Sequence, residues 1–253
     1  MIYRLENTDT VKNLFDGWEE TPVYSCLQKT MGSVYVTDLH TPVSAMALLG
    51  CFAFLAGEPD RELVLSKPAG FTVLVPQDER WNACIESCFP EARKTVRYAI
   101  RKDTQFDPVY LQRIVEQLPE GYELKPIDGT IYDLCLLDPL TECFVSVFPG
   151  KEQYLQYGKG FVVMRDGRIV SGASSYSRYR EGIEIEVDTV EDERRKGFAS
   201  AACAALILQC LDEGLYPSWD AHDMVSVRLA QKLGYELDHA YAVYEASDRK
   251  DEV

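Results

Sequence analysis

The sequence is short of positive charge. Its 253 residues hold 26 Lys and Arg against 41 Asp and Glu, a net charge of −15. Nucleic acid and anionic membrane are gripped mainly by Lys and Arg on phosphate, so this surface repels both and suits a cationic partner. A long apolar run is also missing. The longest uncharged stretch, Thr41 to Gly57, contains Pro42, Ser44 and Gly50 and is too short to span a bilayer, so it reads as buried secondary structure. The opening MIYRLENTDT puts Arg4, Glu6 and Asp9 where a secretory signal needs apolar residues, and the expected location is the cytoplasm. There is no internal repeat and no low-complexity tract. There is no G-x-x-x-x-G-K-[ST] and no G-x-G-x-x-G after a strand, which removes two common nucleotide sites. No G-x-S-x-G elbow and no obvious Cys–His pair points to an acyl-enzyme route.

What is present fits a folded α/β protein. Apolar residues make up 46% and charged residues 26%, and the length suffices for a real core. Eight cysteines are scattered along the chain, at 26, 51, 84, 88, 135, 143, 203 and 210. A chain of this size needs no disulfide staples, so they read as reduced thiols. Cys84 and Cys88 are four apart and face one way on a helix, but with no His beside them and no second pair no metal is expected.

Two domains are expected, an N-terminal α/β domain over 1–118 and a second over 119–253. The Leu118-Pro119-Glu120-Gly121 stretch is the best boundary signal. In the first part, Thr8–Trp18, Val23–Met31, Asp78–Cys88 and Pro108–Leu118 read as helices. Val34–Asp38, Phe71–Val75 and Thr95–Ile100 read as strands. In the second part Tyr122–Ile127 reads as a strand and 128–157 as helix and loop. Asp166-Gly167 between two apolar runs predicts a hairpin. Gly182–Thr189 alternates as a strand, Phe198–Leu211 is a helix apolar nearly all round, and Tyr216–Ala221 is a further strand. Asp223 caps a helix through Leu233, with Gly234 as its C′ residue, and Ala240–Ala246 closes as a strand.

The densest basic cluster, Arg194-Arg195-Lys196, therefore stands between a strand and the mouth of a buried helix. The first turn of a helix has free N–H groups and the positive end of the dipole. Gly197 lets the backbone approach a ligand, Ala199 keeps the next turn slim, and the cations attract an anion. Together these make a phosphate cradle. The plainer alternative is a solvated basic cap, partly cancelled by Glu191, Asp192 and Glu193.

Arg194-Arg195-Lys196-Gly197-Phe198-Ala199 resembles the [QR]-x-x-G-x-[GA] signature of the GNAT acyl-CoA acyltransferase superfamily. A second segment, Trp219 to Tyr235, is similar to the strand and helix that follow it there, with Asp223, Ser226, Leu229, Lys232, Gly234 and Tyr235 at the places of the superfamily's Asn, small residue, Leu and K-x-G-[FY]. The resemblance covers the second half and looks closest to bacterial two-domain GNAT acetyltransferases. It implies an α/β fold with a mixed, splayed central sheet flanked by helices, preceded by an N-terminal α/β domain. It implies acetyl-CoA as co-substrate, its pyrophosphate on Arg194 to Ala199, contacts from Asp223 and Ser226, and its pantetheine arm beside Val187, Asp188 and Thr189. The implied activity is direct acetyl transfer to an amine acceptor, small molecule or peptide. The alternative is a non-catalytic acyl-CoA sensor. The superfamily often has a Tyr as thiol acid where this chain has Ala230. Asp223 equally suits a plain N-cap, and Trp219 a core position. The acceptor pocket is expected from 128–157 and the N-terminal domain.

The strand GIEIEVDT supplies the candidate base. Alternation puts Glu184, Glu186 and Asp188 on one face and Ile183, Ile185, Val187 and Thr189 on the other. Three acids on one face are costly unless hydrated or paired, and mutual repulsion raises at least one pKa toward working pH, as a base requires. Glu186 is favoured and Glu184 is second, unless a bulge reverses the order.

Overall fold

The structure is a computed structural model that describes residues 1–247. The chain packs as two units, one of Met1–Arg97 with the chain from Ala240 on, the other of Tyr98–His239. The first carries β1 (Tyr3–Arg4), a 3-10 helix (Thr8–Phe15), α1 (Thr21–Leu27), β2 (Ser33–Val36), β3 (Ser44–Leu49), β4 (Phe52–Gly57), α2 (Arg61–Leu65), β5 (Thr72–Pro76) and α3 (Glu79–Cys88). Then β6 (Arg93–Ile100) leads into the second unit. That unit holds α4 (Pro108–Glu116), β7 (Glu123–Pro126), α5 (Gly129–Cys135), α6 (Pro139–Glu142), α7 (Lys151–Tyr157), β8 (Gly160–Arg165), β9 (Arg168–Tyr179), β10 (Gly182–Thr189), α8 (Phe198–Asp212), β11 (Tyr216–Ser218), β12 (Asp220–Ala221) and α9 (Met224–Lys232). Finally β13 (Leu237–Ala246) returns the chain to the first unit.

Local chemistry sets many of these boundaries. Six helices, α2 to α6 and α9, begin behind an aspartate whose side chain accepts the first free N–H groups: Asp60, Asp78, Asp107, Asp128, Asp138 and Asp223. Part of the acidic excess is thus spent on caps. Asp166 and Gly167 both have positive φ, 49° and 78°, and close the β8–β9 hairpin.

In the first unit β1, β2, β3 and β4 pair antiparallel in turn, β5 joins β4 in parallel, and β13 adds to β5 through Tyr244–Leu74 and Glu245–Val73. Trp81 and Ile85 of α3 pack with Leu55, Leu74 and Tyr244 in its core. Thr41–Gly57 supplies the β3–β4 pair, and the strand expected at the C-terminus belongs to this unit.

In the second unit the five-stranded sheet runs β11-β10-β9-β8-β7. Its strands are antiparallel except for β10 and β11, which are parallel. Helix α8 is buried along most of its length and packs with Ile183 and Ile185 of β10, Trp219 and Tyr235. Pro119–Gly121 lies inside this unit as a tight turn between α4 and β7, with Tyr122 N donating to Pro119 O.

The strand expected over Tyr216–Ala221 comes in two pieces. Parallel pairing of β11 with β10 runs only from Gly182–Tyr216 to Glu184–Ser218. Trp219 then turns into the core, where its Nε1 donates to Ser226 Oγ (3.1 Å), and Asp220 and Ala221 pair with Ala99 and Tyr98 of β6 instead. The two strands part at Ser218, and the remaining five residues of β10 are left with an edge that β11 does not fill.

Candidate active site

The parted stretch of β10, Ile185 to Thr189, leads straight to the basic cluster. Thr189 Oγ1 shares a 2.7 Å hydrogen bond with Ser171 Oγ of β9, and Arg194 Nε donates to Thr189 O (3.1 Å). Asp188 Oδ1 accepts from Thr189 N (2.7 Å) and lies 3.8 Å from Arg194 Nη2. The strand end and the cluster are therefore latched together.

Beyond Arg194 the backbone coils through two left-handed positions, Arg195 at φ 63° and Gly197 at φ 91°. A non-glycine residue in this region is uncommon, so Arg195 holds a strained turn. The first backbone bond of α8 is Ala201 N to Gly197 O (3.0 Å). The N–H groups of Phe198, Ala199 and Ser200 lie ahead of it, and no side chain caps them. In a chain that caps six helices with aspartate, its longest helix is left open at its positive end. A carboxylate cap there would compete with a bound anion. A Cβ built on Gly197 meets nothing within 4 Å, so the approach to these N–H groups is clear.

The cations around this opening differ in their engagement. Lys196 Nζ lies 2.7 Å from Glu193 Oε2, which raises the lysine pKa and lowers that of the glutamate. Tyr122 OH donates to the same carboxylate oxygen (3.1 Å), its ring lies 4.3 Å from that of Phe198, and Arg165 stacks over it. Arg195 is exposed and makes no ion pair among the described residues. A shallow groove lined by Arg165, Arg168, Val190 and Glu193 runs beside the cluster.

The two faces of β10 are as its alternation predicts. Ile183, Ile185 and Val187 pack in the α8 core. On the other face Glu184 is 5% exposed, while Glu186 and Asp188 are half-buried. The β9–β10 register shifts between Glu184 and Ile185, with Tyr176 as the extra residue on β9, so β10 itself runs on unbroken. Segment 128–157 reaches this face: burial pushes the Cys143 thiol up, and the charges of Glu186 and Asp188 add to the rise.

A profile of the GNAT acetyltransferase family matches residues 12–244, both halves of the chain. The chain belongs to the GNAT acetyltransferase family. It is 48% identical to a GCN5-related N-acetyltransferase-like protein from Streptococcus suis, whose crystal structure superposes with a TM-score of 0.91 over 95% of this chain and 98% of that one. An uncharacterised N-acetyltransferase of Bacillus subtilis, YdfB, is 25% identical over 250 residues, 93% of this chain and 94% of its own. A putative acetyltransferase of the GNAT family from Novosphingobium aromaticivorans shares the fold at 18% identity, with a TM-score of 0.55 over 90% of this chain and 97% of its own. The chain is an acyltransferase with the expected α/β fold.

Within this GNAT chain the second motif is structural in part. Asp223 Oδ1 accepts from Val225 N and Ser226 N, both at 2.8 Å, which is an N-cap. Asp223→Ala should cost about 1 kcal/mol in a denaturation midpoint series; a drop in acetyl-CoA affinity beyond what the lost stability explains would assign the residue a second role. Ala230 is wholly buried in the core and carries no group that could protonate a thiolate. Tyr235 is no substitute: its hydroxyl donates to Pro217 O (2.6 Å), and burial pushes its pKa well up. His222 and His239 are exposed, and Trp219 is core. Among the described residues no three His, Cys, Asp or Glu are grouped to hold a metal, and no helix is long and apolar enough to cross a membrane.

Sequence reading passed over Tyr122 and Arg165, which brace the cluster, and the serines of β9. Ser171, Ser174, Ser175 and Ser177 are all buried on that one strand. Four serines in the seven residues SGASSYS of a central strand were a signal that polar groups there have partners to serve.

Proposed function

We propose that the chain is an acetyl-CoA-dependent N-acetyltransferase that passes acetyl directly to an amine. One observation carries this reading: β10 parts from β11 at Ser218, and its free edge ends at the uncapped N-terminus of α8. An extended arm has a strand edge to lie along, and a pyrophosphate has a positive helix end to meet. In this reading the backbone of Val187, Asp188 and Thr189 faces the arm. The N–H groups of the Arg195–Ala199 turn hold the pyrophosphate, with Arg194, Arg195 and Lys196 around it, and Ser226 and Asp223 stand at the next helix. Acetyl-CoA supplies an acetyl thioester, and the chain supplies the base.

The acceptor arrives as an ammonium and must lose a proton before its nitrogen attacks. Glu186, half-buried on the parted stretch, takes that proton, and Glu184 stands on the same face about 7 Å along the strand. The nitrogen forms its bond to the acetyl carbon, the carbon–sulfur bond breaks, and the nitrogen's second surplus proton passes to the departing thiolate or to water, so no tyrosine acid is needed. The acidic surface favours cationic acceptors, and eight free cysteines suit a reducing cytoplasm.

Free thiol release, measured with acetyl-CoA and a panel of polyamines, aminoglycosides, small amines and peptides, tests the reading. At least one amine should raise thiol production well above the hydrolytic background, with the acetylated amine seen by mass spectrometry. Binding of acetyl-CoA without transfer to any of these classes would contradict it.

A further inference from the structure

The acidic face of β10 continues sideways into its neighbours. Glu184 stands opposite Ser177 on β9 and opposite Ser218 on β11. Register partners project on the same side of a sheet, with adjacent Cβ atoms about 5 Å apart. The three side chains therefore form a row, Ser177–Glu184–Ser218, on the last rung before the strands part. Both serines are wholly buried.

The serine hydroxyls of this row stand out from those around them. Ser171 Oγ donates to Asp188 O, Ser174 Oγ to Phe144 O, and Ser175 Oγ accepts from Lys159 N. Ser177 Oγ and Ser218 Oγ make no hydrogen bond to any described residue. Buried hydroxyls are rarely left in this condition, because the lost hydration is not repaid. Two of them flanking a buried carboxylate offer three polar groups in one place, which is what an internal water requires.

We propose that Ser177 and Ser218 hold internal water on either side of the Glu184 carboxylate, and that they are positioning residues for the acid pair. The water ties the Glu184 side chain to the two neighbouring strands and so helps to hold it in one position on the rung. A Glu184 held in place behind Glu186 keeps the acid pair set to receive the acceptor's proton. This second step rests on the acetyl-transfer reading; the hydration does not.

A high-resolution crystal structure of the full chain should show ordered water within hydrogen-bond distance of Ser177 Oγ and of Ser218 Oγ. A dry row overturns the proposal, whether or not the chain transfers acetyl. Ser177→Ala/Ser218→Ala separates the two cases in solution as well. If the hydroxyls are dry, deleting them removes an unmet group and Tm rises; if they hold water, Tm falls, and a fall is expected. With the amine found in the thiol assay, the double variant should lose roughly ten- to a hundredfold in kcat with KM for acetyl-CoA unchanged. Ser177→Gly, which leaves space for an added water, should recover part of that rate when combined with Ser218→Ala. Wild-type kcat in a folded double variant overturns the positioning role.

Discussion

Millimolar acetyl-CoA should raise the melting temperature of the wild-type chain, and Gly197→Val should abolish the rise. A ligand that binds only the folded state adds about 2.7 kcal/mol at a hundredfold excess over Kd. For a chain of this length that corresponds to roughly 5–10 °C. The backbone at Gly197 sits at φ 91°, so valine there is strained whatever the space, and the variant will melt lower than wild type without ligand. The informative quantity is therefore the difference with and without acetyl-CoA within each variant. Apart from the adjoining residues, no described residue comes within 4 Å of the added Cβ, so the side chain would extend into the approach to the helix N-terminus and not into the chain's own core. Gly197→Ala should give a smaller loss of the shift than valine. A wild-type chain that shows no shift would sink the cradle and, with it, acetyl-CoA as the co-substrate bound there.

The strand, basic turn and buried helix of the proposed cradle were legible because they are local. A strand, a basic cluster, a glycine and an apolar helix follow one another within about thirty residues, and each leaves its own periodicity or turn chemistry in the sequence. The Asp223 cap and the Asp166-Gly167 hairpin were legible for the same reason. The parting of β10 and β11 was not. YPSWDA reads as one strand, and only tertiary pairing shows that Tyr216–Ser218 follow β10 while Asp220–Ala221 follow β6. The row of Ser177, Glu184 and Ser218 was hidden likewise, since no local pattern gives the register of three strands spread over 42 positions. Pairing of Glu245 with Val73, far apart in the chain, is a further case. Long-range pairing is decided by which apolar faces close a core, and a single sequence records that only indirectly.

Glu186→Gln should lower kcat roughly a hundredfold or more with the true acceptor, while acetyl-CoA still shifts the melting temperature as in wild type. The substitution keeps the shape of the side chain and removes its ability to take a proton. Glu186 lies on the parted stretch of β10, opposite Ser174 of β9, with its neighbours Ile185 and Val187 turned into the α8 core. The strand is thereby fixed by its apolar face, and the acid is carried by the other face in a set orientation. Glu184→Gln should also slow turnover, by less, since Glu184 is more deeply buried and stands on the rung where the strands are still paired. The two effects should not add, because the carboxylates share one face and act on one proton. Acetyl-CoA affinity is the control that separates a lost base from a disturbed cradle, for neither acid belongs to the Arg194–Ala199 turn. If both single variants turn over the acceptor at wild-type rates from pH 6 to 9, neither carboxylate is the base. The acid face of β10 would then be hydrated structure, and the proton acceptor would have to be sought elsewhere on the parted strands.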